Sequence, residues 1–325
     1  MSIGLAVKKL VLSSHLSLGD IVCMTAAVRE LHRQFPEQYL IDVRTPFPAV
    51  WEHNPDVTPL SDDDPEVTKI NLHYDQNPYV TVHQSNQHPI HLIEGYCQDL
   101  ADRLQIPSLR PRELKGHIHL SSEELRWMSM PHERYNTQKY WIICLGGGKK
   151  DATTKWYIPE YTQQIVDHFR GRLQFVQIGV KDDPWHWHPD LTGVIDLRGT
   201  TDLRQLIRLV HSSMGVLCGI TGVMHLAAAV PTPSWQWRPR PCVVVAGGRE
   251  PRAWYGYTTH RILESVGTLP CCAVGGCWHG RTVPLHDGHD ERLCERVVDG
   301  HPKCMWMIKP ASVIAEIERY LAGAE

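Results

Sequence analysis

Short apolar runs alternate with amphipathic segments at the start of the chain. An apolar run at 9–14 predicts a buried strand. Apolar residues then recur three or four positions apart, which predicts a helix over 21–35, and a second apolar run at 39–43 predicts another strand. A strand, a helix and a strand in this order are typical of a parallel β-sheet.

The same alternation returns after residue 139. Apolar runs again predict strands, and the amphipathic segments between them predict helices, so this part of the chain also has the pattern of an α/β sheet. Between the two parts, 45–90 gives only weak signals, whereas 90–104 is predicted to be helical. In the second part the predicted strands are 140–145, 173–179, 215–219 and 242–246, and the predicted helices are 159–169, 202–211, 221–230 and 311–322.

Two α/β halves predict an α/β fold with two Rossmann-like domains that face each other across a cleft. We place the first domain at 1–130 and the second at 131–310, which includes a cysteine-rich segment at 270–305, and a C-terminal helix in 311–325. Ligands of such sheets bind at the carboxyl ends of the strands, where helix N-termini point outward. The loops that follow strands are therefore expected to line the cleft.

Composition and charge narrow the class of protein. The chain has 325 residues, of which 42% are hydrophobic and 21% charged, and these values are typical of a globular protein of about two domains. A net charge of −3 argues against non-specific binding to duplex nucleic acid. No apolar run approaches the ~20 residues of a membrane span, and the N-terminus lacks a cleavage site, so we expect a cytoplasmic protein.

The loop "CGITGVMHLAAAV" at 218–230 carries the clearest ligand signal. Gly219 and Gly222 permit close approach of the backbone, and the N–H groups of Thr221 to His225 open a helix, which predicts an anion site. The alternative is an ordinary strand–turn–helix in which Thr221 is the N-cap. The glycine- and lysine-rich loop "GGGKKDATTKW" at 146–156 is not a Walker loop, but one of its lysines could neutralise a diphosphate; alternatively it is a solvated loop.

Asp20 follows a glycine where the first strand gives way to the first helix. It could be a catalytic carboxylate at the mouth of the sheet, ionised because the helix dipole favours its anionic form. The alternative is a helix cap, with its oxygen on the N–H of Val22 or Cys23.

Three stretches in this order resemble the family 9 glycosyltransferases, typified by the ADP-heptose:lipopolysaccharide heptosyltransferases. They are "LGDIVCMTAAVRELHRQFP", "TTKWYIPEYTQQIVDHF" and "DLRGTTDLRQLIRLVHSSMGVLCGITGVMHLAAAV", and the resemblance covers most of the chain. It implies the two-domain GT-B architecture, with the nucleotide diphosphate-sugar donor, an ADP-sugar, in the second half and the acceptor in the first. It also implies inverting transfer of a sugar, a heptose in this family, to an acceptor hydroxyl.

The resemblance also implies roles for individual residues. Asp20 matches the general base of the family, and Lys155 matches a lysine that contacts phosphate. The diphosphate-binding helix start is matched by Thr221, Gly222, Val223, Met224 and His225, and the acceptor side by His15, Ser17 and Gly19. The nucleotide pocket is assigned to Gly179, Gly247, Arg249 and Glu250, although the last two could equally form a structural ion pair.

One position departs from the family pattern. Ile220 stands where heptosyltransferases have an aspartate that contacts the donor sugar, and isoleucine cannot accept a hydrogen bond. Three readings stay open: a heptose held by other groups, a different sugar, or a protein that binds a nucleotide sugar without catalysis.

Five cysteines lie close together near the C-terminus. Their spacing, Cys272-x4-Cys277-x16-Cys294-x9-Cys304 with Cys271 as a spare, suits a structural zinc or iron site, with His279, His286, His289 and His301 as substitutes. A subset of the resembled family, the autotransporter heptosyltransferases, carries cysteine-bound iron in a similar position. The alternative is buried free thiols. We expect no catalytic metal, because a lysine and a helix dipole can neutralise the diphosphate.

The acceptor stays open between a glycan, a protein, a small molecule and a modified nucleobase in DNA. The last is suggested by Trp235, Trp237, Arg238 and Arg240 on one short loop, because tryptophan with arginine suits single-stranded nucleic acid. This loop and the aromatic stretch "PWHWHP" at 184–189 could alternatively stack on a sugar or pack against the neighbouring domain.

Overall fold

The computed structural model describes residues 7–73, 77–79, 89–150, 152–236, 238–288 and 290–323. In its first half, three parallel strands form a sheet that is accompanied by helices. The elements are β1 (Lys8–Ser13), α1 (Leu18–Gln34), β2 (Tyr39–Arg44), β3 (Val67–Asn71), α2 (Leu92–Leu104) and α3 (Met130–Tyr135). The strand order is β2–β1–β3, so β1 lies in the centre and its carboxyl end carries the loop that leads into α1.

Helix α1 begins three residues earlier than its apolar periodicity predicts. Ser17 is the N-cap, and Asp20 occupies the third helical position in a capping box with it. The predicted alternative, in which Asp20 itself caps a helix that starts at residue 21, is therefore wrong. The polar first turn hides the true start, because apolar spacing marks only the buried part of a helix.

The second half contains a six-stranded sheet and two short antiparallel ribbons. Between residues 140 and 219 its elements are β4 (Tyr140–Cys144), β5 (Gly147–Gly148), α4 (Pro159–His168), β6 (Gln174–Gln177), β7 (His186–Trp187), β8 (Ile195–Asp196), α5 (Leu203–Ser212) and β9 (Gly215–Gly219). The elements that follow are α6 (Gly222–Ala229), β10 (Cys242–Gly247), α7 (Arg252–Tyr255), β11 (His260–Glu264), β12 (Val297–Val298), β13 (His301–Pro302), α8 (Lys303–Trp306) and α9 (Pro310–Leu321). Strands β5 and β7 form one ribbon, and β12 and β13 form the other.

The order of the six strands places a crevice in the second sheet. The order is β11–β10–β9–β4–β6–β8, and every neighbouring pair is parallel. The chain builds outward from β4 to one edge and then returns to β9 to build toward the other, which is the strand order of dinucleotide-binding folds. The carboxyl ends of β4 and β9 therefore diverge at a switch point, where such sheets bind ligands.

Both faces of the second sheet are covered. Along β9, Val216 and Cys218 belong to an apolar cluster that continues into the first half, whereas Leu217 belongs to a cluster on the other face. Helix α6 packs against α1 of the first half, and α4 packs against α9. The apolar cluster thus passes without a break from one sheet to the other.

The structure confirms a mixed α/β fold with parallel sheets. Every predicted strand and helix of the second half is present within two residues of its predicted bounds. The sheet strands β8 and β11 were missed, as were the short elements β5, β7, α7, β12, β13 and α8. Strand β11 reads HRILE, so its polar ends conceal a short apolar centre. The domain boundary at residue 130 stays a prediction.

Among the residues that the structure describes, no helix has both the length and the apolar character needed to cross a bilayer.

Candidate functional site

A cavity of about 460 Å³ opens where the loops after β1, β4, β9 and β10 meet. Its volume lies within the range of small-molecule sites. Both halves line it, and they bring together most of the residues that the sequence predicts for the site. These are His15, Ser17, Gly19 and Asp20 from the first half, and Lys155, Thr221, Gly222, His225, Arg249 and Glu250 from the second.

Four predicted residues are not part of this lining. Val223 and Met224 are buried in the core, and the N–H of Met224 already donates to the carbonyl of Thr221. Successive side chains of a helix point in different directions around its axis, so only some residues of the first turn of α6 face the cavity. Gly179 lies against the ring of His188, and Gly247 lies against Met305 and Cys304.

Asp20 is half-buried at the wall of the cavity. The backbone N–H and the hydroxyl of Ser17 both donate to its Oδ2 atom, at 3.1 and 2.6 Å. The two donors converge on a single oxygen of the carboxylate. Asp20 therefore belongs to the capping box of α1 and also lines the cavity.

Three charged side chains of the second half meet at the cavity. The Nζ atom of Lys155 lies 2.6 Å from Oε1 of Glu250, and the guanidinium of Arg249 contacts the same oxygen. Burial lowers the pKa of Lys155, although Glu250 and the more distant Asp20 act to raise it. Burial would raise the pKa of Glu250, but Lys155 and Arg249 outweigh it and hold the pKa below its ordinary value. The predicted Arg–Glu pair exists, and a lysine joins it.

The starts of helices α1 and α6 touch at the floor of the cavity. A Cβ atom on Gly19 would lie 2.6 Å from the ring of His225, and one on Gly222 would lie 2.9 Å from the side chain of Leu18. Only glycine permits this approach. Thr221 is the N-cap of α6, so the positive end of that helix dipole faces the cavity beside Asp20 and Lys155.

Two tryptophans line the cavity, and of these Trp278 had no signal in the sequence that marked it for this site. Trp254 and Trp278 pack edge to face with ring centroids 5.2 Å apart. The N–H groups of Cys277 and Trp278 donate to the carbonyls of Gly248 and Arg249, at 3.2 and 3.0 Å. The cysteine-rich segment therefore docks on the loop after β10 and adds an aromatic wall to the cavity. Leu92 and Tyr255 complete this side.

The predicted metal site is not supported. Within the described ranges, no group of three or more histidine, cysteine, aspartate or glutamate side chains is placed to hold a metal ion. The thiol of Cys272 donates instead to the carbonyls of Ser265 and Leu269, and Cys294 donates to that of Arg296, each at 3.5 Å. Burial raises the pKa of Cys304 to about 11, which keeps its thiol protonated. His289, one of the predicted substitutes, lies outside the described residues.

The cysteines nevertheless lie in one region. The thiol of Cys272 and the side chain of Cys304 both pack on Gly248, and a Cβ atom there would lie 3.0 Å from the Cys272 sulfur. Burial is the main cause that raises the pKa of Cys271 and of Cys277. Nearby thiols add to it: Cys277 acts on Cys271, and Cys294 acts on Cys277. The packing of Cys272 and Cys304 on Gly248 thus joins the cysteine-rich segment to the loop after β10.

The arginine-rich loop does not present its arginines as predicted. Arg240 is buried, and its guanidinium donates to the carbonyls of Ala227, Val230, His211 and Pro231. It therefore caps the end of α6. Arg238 donates to the carbonyl of Gly323, and Trp237 lies outside the described residues.

The aromatic stretch at 184–189 contributes to packing. Trp187 in β7 lies against Trp156, with ring centroids 4.6 Å apart. This contact lies within the second half, so it is packing inside one half and not the predicted packing against the neighbouring domain.

Several solved structures that are similar to this chain are glycosyltransferases. No protein-family model matches the chain, and no curated protein matches it by sequence. A glycosyltransferase of family 9 from Veillonella parvula DSM 2008 superposes with a TM-score of 0.65 at 13% identity, covering 99% of each chain. The E. coli ADP-heptose lipopolysaccharide heptosyltransferase II gives a TM-score of 0.60 at 15% identity, covering 97% of this chain and 99% of that one.

A third similar structure is an iron-containing dodecameric glycosyltransferase, TibC, from enterotoxigenic E. coli H10407. Its TM-score is 0.64 at 13% identity, with 98% of this chain and 77% of that chain covered. The same protein has been solved in complex with ADP-D-β-D-heptose. The chain therefore has the fold of the family 9 glycosyltransferases and heptosyltransferases over nearly its whole length.

Proposed function

We propose that the protein is an inverting glycosyltransferase that moves a sugar from a nucleotide diphosphate-sugar to an acceptor hydroxyl. The observation that carries this proposal is the shared cavity. Asp20 of the first half and, from the second half, the N-terminus of α6 and Lys155 line the same cavity. A base and an anion site within reach of one bound donor are what such a displacement requires.

In the proposed mechanism, Asp20 accepts the proton of the acceptor hydroxyl as its oxygen attacks the anomeric carbon. The bond to the diphosphate breaks on the opposite face, so the anomeric configuration inverts. The leaving diphosphate gains negative charge as the bond breaks. Lys155 and the positive end of the α6 dipole stabilise that charge, in a cavity that shields them from bulk water.

The donor we propose is an ADP-sugar. A similar structure was solved with ADP-D-β-D-heptose. Sheets with the strand order of the second half bind their ligands at the switch point, which supports a nucleotide there. Trp254 and Trp278 offer an aromatic wall for a base, and the carboxylate of Glu250 is an acceptor for ribose hydroxyls.

The residues of the cavity say less about the sugar of the donor than about its nucleotide. Ile220 is buried at the edge of the cavity and offers no hydrogen-bond acceptor, so other groups must hold the hydroxyls of a heptose or the donor carries another sugar. The same observation favours one alternative function, a protein that binds a nucleotide sugar without transferring it.

A screen of donors tests the proposal. Thermal unfolding is measured with ADP-heptose, other ADP-sugars and the UDP- and GDP-sugars, and ADP release is followed for each compound that binds. We expect an ADP-sugar to raise Tm, because a ligand that binds only the folded state stabilises it. We also expect slow release of ADP as water replaces the acceptor.

Matched variants make the screen specific. Lys155→Met removes a cation of the cavity and should abolish the Tm shift, whereas Lys181→Met removes a lysine paired with Asp196 on the surface and should leave it unchanged. A Tm shift without ADP release across acceptors would favour the binding protein. No shift with any nucleotide sugar would overturn both readings.

A further inference from the structure

A buried polar network crosses from the first half to the second directly behind the cavity. It joins Cys23 of α1, His225 of α6 and Tyr257, which follows α7. The Tyr257 hydroxyl lies 2.6 Å from Nδ1 of His225, and the Cys23 sulfur lies 3.3 Å from the same nitrogen and 3.7 Å from the hydroxyl. All three side chains are almost completely buried.

The hydrogens of this network can be counted. Burial lowers the pKa of His225 to about 3, so the ring is neutral and carries one N–H. If that hydrogen sat on Nδ1, it would donate to Tyr257, Tyr257 would donate to Cys23, and the thiol hydrogen would have no acceptor among the described residues. If Nδ1 is bare, the hydrogens of Tyr257 and Cys23 both find acceptors within the network.

The other ring nitrogen lies next to Gly19, which also lines the cavity. His225 lines the cavity, and a Cβ atom on Gly19 would lie 3.2 Å from Nε2. Within the described part of the chain, Nε2 has no hydrogen-bond partner. It lies in the first turn of α6, where the helix dipole favours an anion.

We propose that Tyr257 is a positioning residue for the diphosphate site. Its hydroxyl donates to Nδ1 of His225 and so holds the ring hydrogen on Nε2, where it donates to a phosphate oxygen of the donor. This role rests on the proposed function, because it takes the ligand to be a diphosphate. A histidine ring whose far nitrogen is fixed in this way presents a donor of fixed direction.

The surroundings keep the network uncharged. Burial raises the pKa of Tyr257 and of Cys23, so both stay protonated donors and place no negative charge behind the phosphate. The rings of His91 and His260 flank Tyr257, with centroids 5.4 and 5.0 Å from it. Burial lowers their pKa values to about 4 and about 3, so both are neutral near pH 7.

The tautomer can be observed directly. We would record long-range ¹H–¹⁵N NMR spectra of the ¹⁵N-histidine-labelled protein and assign the His225 signals by their loss in His225→Gln. We expect a bare Nδ1 and a protonated Nε2 at pH 7. A hydrogen on Nδ1 would overturn the proposal without reference to any ligand or activity.

Binding of ADP supplies the second readout. Tyr257→Phe keeps the ring and removes the donor, and we expect the Kd for ADP to rise about 10-fold, the loss of one hydrogen bond to a charged group. The control is Tyr140→Phe, which removes a buried hydroxyl bonded to the carbonyl of Leu209, far from the cavity, and should leave Kd unchanged.

The possible results distinguish a failure of the proposed role of Tyr257 from a failure of the proposed function. Unchanged ADP binding in Tyr257→Phe would overturn the positioning role, as would an equal loss in both variants. If the wild-type protein bound no nucleoside diphosphate at all, the proposed function would fail, and the role of Tyr257 toward a diphosphate would fail with it. The NMR result would then still show which nitrogen carries the hydrogen.

Discussion

At the scale of single residues, the proposed site depends on Asp20 and Lys155, and each of these side chains also has a partner within the protein. Asp20 receives both donors of Ser17 on one oxygen and also lines the cavity. Lys155 is held by Glu250 inside the same cavity. Its charge is available to a diphosphate only while the amine stays protonated.

The lowered pKa of Lys155 gives a prediction of pH dependence. The pKa lies below its ordinary value of 10.5 because the side chain is buried. As pH rises through that lowered pKa, the lysine loses its charge, and affinity for the anionic donor should fall. Arginine keeps its charge to a higher pH, so Lys155→Arg should bind ADP with a Kd that is flat over the same range.

The measurement is the Kd for ADP between pH 7 and pH 10. Equal slopes of log Kd against pH in the wild type and in Lys155→Arg would contradict a role for Lys155 in binding the diphosphate. A weaker but pH-independent variant agrees with it, because arginine is larger than the lysine it replaces.

At the scale of elements, the site depends on two helix starts in contact. Gly19 of α1 leaves room for the ring of His225 on α6, and Gly222 of α6 leaves room for Leu18 on α1. The contact fixes how closely Asp20 approaches the N-terminus of α6. It also explains why both helices begin with glycine near the cap.

Gly19→Ala should disturb this contact. The added Cβ would lie 2.6 Å from a buried ring that is already hydrogen-bonded to Tyr257, so the helices must separate or the ring must turn. We expect the free energy of unfolding to fall by about 1–3 kcal/mol and ADP binding to weaken roughly tenfold.

Gly148→Ala is the matched control for this prediction. A Cβ atom there would make only ordinary contacts, at 3.9 and 4.0 Å, so stability and binding should stay near those of the wild type. Chemical denaturation and calorimetric titration measure both quantities. Wild-type values in Gly19→Ala would show that the two helix starts are not tightly coupled.

The sequence predicts elements well where one local pattern decides them. Strand β9 and the helix start at Thr221 are read from an apolar run followed by Thr-Gly, and the structure confirms both. The placement of Trp278 could not be read in this way. It reaches the cavity through backbone bonds to Arg249, a contact that depends on the path of a loop with no periodicity.

Contacts between residues that are far apart in the chain also could not be predicted from the sequence. Tyr257 meets His225 and Cys23 only because α1 and α6 pack together, and no spacing in the chain indicates this. The cysteine spacing suggested a metal site, yet the thiols of Cys272 and Cys294 bond to nearby carbonyls. Spacing limits which side chains can meet, but the fold decides whether they do.

At the scale of the whole molecule, Arg204 joins the halves. From helix α5 it donates to the carbonyls of Ala49 and His119, at 3.0 and 2.9 Å, and forms a buried ion pair with Glu124. Burial would raise the pKa of Glu124, but Arg204 lowers it below its ordinary value. The pair holds the second sheet in place relative to the first.

Arg204→Met should therefore be costly. It leaves the Glu124 carboxylate buried without its guanidinium, and we expect the free energy of unfolding to fall by about 3–5 kcal/mol. Arg172→Met is the control, because its pair with Glu318 is on the surface, where solvent screens it, and its loss should leave stability near that of the wild type. Denaturant unfolding of Arg204→Met, Glu124→Met and the double variant measures the coupling, and strict additivity would contradict the link.

The most direct test of the role of Asp20 compares two aspartates that belong to capping boxes. Asp20→Asn keeps an oxygen that can accept from Ser17 but cannot take a proton, and Asp202→Asn makes the same change in the capping box of α5, away from the cavity. The measurement is the rate of ADP release from the sugar nucleotide identified by the donor screen. We predict a fall of about 100-fold or more in Asp20→Asn, with donor Kd little changed, and a wild-type rate in Asp202→Asn. Equal rates in the wild type and in Asp20→Asn would contradict the claim that this carboxylate is the base.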